Sequence, residues 1–133
     1  MATPRSPLML IWSSMCTSIV IFFIVAITAA PDDPSPDDES AALALLVLGL
    51  MQSAVALVGA PLLFRAQPAQ TAYIIRFGLM EAAATFGLVA YFLGAHLPAA
   101  ALMGWALFGQ MLQVPLPARV EAWEKARTGD GRR

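Results

Sequence analysis

Four long apolar runs, separated by short polar interruptions, set the pattern of this chain. The first covers 8–30 (LMLIWSSMCTSIVIFFIVAITAA), the second 41–64, the third 71–93 and the fourth about 99–114. About 20 apolar residues carry an α-helix across the roughly 30 Å hydrocarbon core of a bilayer, and these runs approach or exceed that length. The pattern predicts an all-α integral membrane protein: four transmembrane helices in an antiparallel bundle, forming one domain over 1–133. A secretory signal peptide is the alternative for the first run, because Ala29 and Ala30 place small residues near a cleavage position. Signal peptides have apolar cores of only about 7–15 residues. This run is longer, and its Ser13, Ser14, Thr17 and Ser18 suit packing against other helices. Retention as a helix is expected.

The interruptions punctuate the runs. Residues 31–40, PDDPSPDDES, hold three prolines, five acidic residues and no Lys or Arg. Such a segment neither continues a helix nor enters lipid, so an exposed loop is predicted. Pro61 falls in the last turn of the second run, where it kinks or ends the helix. Residues 65–70 (RAQPAQ) read as a polar turn and 94–98 as a tight one, and Pro115 and Pro117 end the fourth run. The tail from 118 carries Glu121, Glu124, Lys125 and Arg127. It predicts a brief interfacial helix through Trp123 that frays into GDGRR.

Charge sets an orientation. All eight basic residues fall on one predicted side: Arg5, Arg65 and Arg76, then five in the tail. Lys and Arg bias loops towards the cytoplasm, which predicts a multi-pass protein of the cell's inner (plasma) membrane with both termini cytoplasmic. Composition agrees: 59% of residues are hydrophobic and 13% charged, against about a quarter charged in soluble domains. No room remains for a soluble domain. The net charge of −1 leaves no basic face for nucleic acid, and Cys16 and His96 are single residues. A disulfide framework and a cysteine-based metal site are excluded, zinc and haem are poor readings, and no cofactor is expected. Paired acids and nucleophile–base sets are missing too, so an enzyme is not expected. The expected partners are the lipid bilayer and either further copies of the chain or other membrane subunits.

Lipid tails give apolar helices no reason to choose one another, so small residues and buried polar groups direct packing. The second run offers Gly49 with Ser53 and Ala56 with Ala60. The third offers Gly78 with Ala82 and Ala83 with Gly87, and the fourth Ala101, Gly104 and Gly109. Glu81 stands out among them. At ten residues into the third run it lies about 15 Å deep. A charged carboxylate costs at least about 2.5–3.5 kcal/mol to insert there. It is therefore expected to be buried at a helix interface and protonated, paired, or both. Gln52 and Ser53, and Thr17 and Ser18, come to about the same depth, which predicts a polar layer with Gln52 and Thr17 as the partners of Glu81. Arg76 is shallower and is expected to snorkel to the inner interface, in a structural cluster with Gln110 and Gln113. Three roles stay open for Glu81: a hydrogen-bonding link between helices, reversible proton or cation binding, and a contact to a lipid headgroup or partner helix.

The stretch 79–93, LMEAAATFGLVAYFL, resembles the carboxylate-bearing outer helix of ATP synthase subunit c, the rotor-ring proteolipid. The matching residues are Glu81 with Ala82 and then Phe86-Gly87-Leu88-Val89, and 65–68 (RAQP) resembles that family's polar Arg-Gln-Pro turn. The resemblance covers about 30 residues of the chain and implies that Glu81 matches the ion-carrying acid. The chain as a whole resembles small four-helix bacterial membrane proteins with an acid in the third span. Two functions follow. One is a non-enzymatic assembly or accessory subunit; the other is a proteolipid-like protein that binds a proton or cation at Glu81.

Overall fold

The computed structural model describes residues 7–29 and 39–129. The predicted loop at 31–40, save its last two residues, lies outside them, as do Arg5 and the end expected to fray at 130–133. Helix accounts for 89% of the described residues and no strand occurs among them, so the fold is all-α. The elements are α1 (Pro7–Ala29), α2 (Glu39–Ala54), α3 (Ala60–Leu63), α4 (Ala69–Phe92), α5 (His96–Leu112) and α6 (Pro117–Thr128). A π-helical turn over Val55–Gly59 joins α2 to α3, making Glu39–Leu63 one continuous helix of 25 residues. This segment, α1 and α4 are each long and apolar enough to cross a membrane. Helix α5 has 17 residues, and it forms with α6 a pair bent by 76°.

Local chemistry sets these ends. Gly94 adopts φ 94°, its N–H donates to Tyr91 O at 3.0 Å, and the Ala95 N–H donates to Ala90 O at 3.0 Å. This is the Schellman arrangement, which satisfies two otherwise orphaned carbonyls and needs a residue at ease with positive φ. The chain then re-enters helix at His96, three residues earlier than the predicted 99. Pro98 falls in the first turn, where its missing N–H has no helical partner to lose. Pro61 also departs from expectation. It neither ends nor sharply turns the helix, but sits in α3 just beyond the π turn. Pro115 and Pro117 do stop α5, and α6 starts at Pro117 after an extended Leu116.

Helix α4 is the axis of the bundle. It packs against α5, α2 and α1, while α1 and α2 lie on opposite flanks of the α4–α5 pair. The central core is Ile19 of α1, Ala56 of the π turn, Met80, Ala83 and Ala84 of α4, and Ala106 of α5. Leu8, Ala69, Tyr73 and Phe77 close one end with Val120 and Trp123 of α6. Ala42, Ala90 and Ala99 close the other. Small residues let the backbones approach. A Cβ at Gly87 would lie 2.8 Å from Met103 Cγ and 3.2 Å from Ala99 O, and one at Gly49 would lie 3.3 Å from Ala83 O. Of the small-residue pairs read from the sequence, Gly49 with Ser53, Ala56 with Ala60 and Ala83 with Gly87 are buried between helices. Gly78 is not: nothing lies within 4 Å of a Cβ placed there. Ala101 is exposed, and Gly104 meets only Phe23 Cζ, at 3.8 Å.

Candidate functional site

A helix presents residues at 3.6-residue spacing, so α4 has two distinct long faces. Phe77, Met80, Ala83, Ala84, Gly87 and Ala90 are buried against neighbours. Thr71, Ile74, Gly78, Glu81, Thr85 and Val89 make the opposite stripe, exposed or half-buried along its length. Glu81 thus faces outward and is half-buried. Among the described residues its carboxyl has no hydrogen bond and no ion pair; only its backbone carbonyl is engaged, accepting from Thr85 Oγ1 at 3.0 Å.

The expected polar layer does not form around it. Thr17 is exposed on α1, and its hydroxyl donates to Ser13 O at 2.9 Å. The Gln52 side chain is half-buried, and its Oε1 has no partner. Ser53, its neighbour, is buried, donates to Leu50 O at 2.8 Å and accepts from Trp105 Nε1 at 3.1 Å. The three residues reach one depth on helices whose relevant faces point apart. Depth follows from the rise per residue, but azimuth does not.

Arg76 is held in a way the sequence does not announce. In the π turn the Ala60 N–H donates to Val55 O, five residues back. The donor in that register for Ala56 O would be residue 61, a proline without an N–H. Ala56 O is left without its helical donor, and Arg76 Nε supplies one at 3.0 Å. The guanidinium also lies 5.5 Å from the Tyr73 ring centroid, within cation–π range. Arg76 therefore turns its Nε onto the π turn after α2, where snorkelling alone was expected. Pro61 and Arg76, read together, are the sequence signal for this contact.

Gln110 and Gln113 lie on the buried side of α5, 0% and 2% exposed. All four of their side-chain polar atoms are without partners among the described residues. The backbone carbonyl of Gln110 accepts from Trp12 Nε1 at 2.7 Å, tying α5 to α1. A Cβ at Gly109 would meet the end of the Met80 side chain, so the two residues face each other across the antiparallel α4–α5 pair. One turn further along, Gln113 comes level with Arg76. Among the described residues Arg76 and the two glutamines make no hydrogen bond with one another, so the expected cluster is not joined by bonds.

At that same end α6 folds back on the turn before α4. Glu124 Oε1 accepts from the Ala69 N–H at 2.6 Å, capping α4 from another helix, and Trp123 Nε1 donates to Gln67 O at 3.0 Å. Arg127 pairs with Glu124 at 2.7 Å. The Ala69 N–H first, and then Arg127, hold the Glu124 carboxyl below the usual carboxylate range. A cleft of about 400 Å³ opens beside this clamp, lined by Leu8, Ala69, Pro115, Val120 and Glu121 among others. Among the described residues no group of three or more His, Cys, Asp or Glu gathers to hold a metal.

No family model, curated protein or solved structure matches this chain. Its chemistry is read from its own geometry.

Proposed function

We propose that this chain is a small non-enzymatic membrane subunit that assembles with a partner through the outward stripe of α4. Its apolar helices span an inner (plasma) membrane, and both termini are cytoplasmic. The observation that carries the reading is the Glu81 carboxyl, outward-facing and unbonded, beside the open backbone at Gly78. In hydrocarbon an unsatisfied carboxyl is costly. The open glycine lets a second helix approach closely enough to bond it. The orientation is supported by the gathering of Arg65, Arg76, Arg119, Lys125 and Arg127 at the bundle end that α6 closes. Glu39 and His96 mark the other end, which among the described residues carries no Lys or Arg.

Cross-linking and native mass spectrometry in mild detergent test the reading. Glu81→Leu is expected to weaken association about fivefold, the worth of one membrane hydrogen bond of about 1 kcal/mol. Glu81→Gln, which still bonds, is expected to keep most of it. Unchanged assembly in Glu81→Leu would refute the proposal.

The same open carboxyl also favours a second reading, reversible binding of a proton or cation. Carbodiimide labelling of Glu81, with Glu81→Gln as the blank, separates the two. Labelling that falls as pH rises would show a carboxyl that is accessible and ionises. Absence of labelling at any pH would leave the bonded, assembly role.

A further inference from the structure

The clamped end of the bundle holds a second uncompensated group, and it is positive. Among the described residues the one ion pair joins Arg127 to Glu124, so no carboxylate pairs with Arg76. Its Nε is engaged by Ala56 O, which leaves both terminal guanidinium nitrogens free to bind something else. Arg119 lies at the same end: Val120, next to it, packs with Tyr73 and Phe77, which flank Arg76 on α4. Arg119 is anchored by donation from one terminal nitrogen to Leu112 O at 2.7 Å. Two guanidiniums at one end of the bundle are thus each fixed by a backbone carbonyl, and among the described residues no carboxylate pairs with either.

Gln113, 2% exposed, comes level with Arg76 on the α4–α5 seam, and Gln110 lies one turn deeper at 0% exposure. Their amide groups have no partners. Buried amides without partners are rare in native proteins and mark a missing bonded group. A half-buried cation without a counter-charge is equally costly. One ligand answers both needs: an anion with several acceptor oxygens.

We propose that Arg76 and Arg119, backed by the Gln113 amide, form a binding site for a phosphate group. Guanidinium matches phosphate in planar, two-pronged geometry. Basic pockets between helices at the cytoplasmic face hold anionic lipid headgroups in this manner. A phospholipid headgroup and free inorganic phosphate share the chemistry, and the test tells them apart. The site is separate from the Glu81 stripe and does not depend on the assembly reading.

The experiment measures thermal stability of the full chain in neutral detergent, titrated with phosphatidylglycerol, phosphatidylcholine or inorganic phosphate. Phosphatidylglycerol is expected to raise the melting temperature saturably, with phosphatidylcholine inert. Stabilisation by inorganic phosphate as well would show that the phosphate group alone suffices; its failure alongside success of the lipid would assign the lipid source. Arg119→Gln is expected to weaken the response about fivefold, the worth of one basic residue at a membrane surface. Arg119 is exposed on α6, so this variant should leave the bundle folded. Lys125→Gln removes the same charge from the same helix away from the site and is expected to bind as the parent does. Equal weakening in both variants would reduce the effect to diffuse attraction and overturn the site. So would equal response to phosphatidylcholine, or no response to either phosphate source.

Discussion

The two long faces of α4 carry the same small and apolar vocabulary but opposite surroundings. On the inward face, Phe77, Met80, Ala83, Ala84 and Ala90 are 0% exposed, and Gly87 admits the backbone of α5. On the outward face Gly78 opens onto nothing, and the Glu81 carboxyl has no partner among the described residues. A glycine that lets backbones meet and a glycine that leaves a place for another helix look alike in the chain. The difference separates what holds the bundle together from what it offers to others, and substitutions on the two faces should fail in different assays.

The largest effect is expected inside. Gly87→Val places methyl groups against Met103 and Ala99 O, and overpacking of this kind costs about 1–3 kcal/mol, read by denaturant titration in mixed micelles. Gly78→Val should leave that titration unchanged, and equal losses would erase the distinction between the faces. Next comes Arg76→Met, which strips Ala56 O of its donor at a cost of about 2 kcal/mol, as for hydrogen bonds from charged groups. In a Pro61→Ala background the restored N–H at 61 should make the same substitution cheaper. Additive losses in that double-mutant cycle would mean that Arg76 does not compensate for the proline. Smaller still is Glu81→Leu, expected to shift association by about 1 kcal/mol while the folded bundle melts as the parent does.

The gentlest change is one of pH, at the clamp. The Glu124 carboxyl is held below its ordinary value when α6 is docked. Docking is therefore fully supported above the ordinary carboxylate range and is lost as pH falls through the lowered value. Trp123 fluorescence should report the release at acidic pH. Glu124→Gln should flatten the profile, and an unchanged profile in that variant would place the transition elsewhere.

Much of the fold is legible in the sequence because apolar length and proline placement are local. The four apolar runs and the tail segment through Trp123 are helices, with ends a few residues from those predicted. The site is less legible, for a physical reason. Depth along a helix is arithmetic, so Glu81, Gln52 and Thr17 can be assigned a level from the chain alone. Which way each points depends on neighbours, and in runs apolar on every side the 3.6-residue period has little contrast to reveal it. The Glu124–Ala69 and Trp123–Gln67 contacts need the 76° elbow between α5 and α6, and no residue pattern states that angle. The bond from Arg76 to Ala56 O could have been suspected: Pro61, inside a helix, leaves a carbonyl in want of a donor.

The unequal lengths of the helices bear on the lipid itself. Seventeen residues in α5 rise about 25 Å, whereas the 25 residues of Glu39–Leu63 rise about 37 Å. Across a hydrocarbon core of about 30 Å, α5 would be too short and Glu39–Leu63 too long. In such a bilayer the long helices would tilt, and the membrane beside α5 would be drawn thin at a cost of fractions of a kcal/mol per Å. A protein so built would carry a lopsided dimple with it, and a neighbour with an equally short helix would relax that deformation by settling against α5.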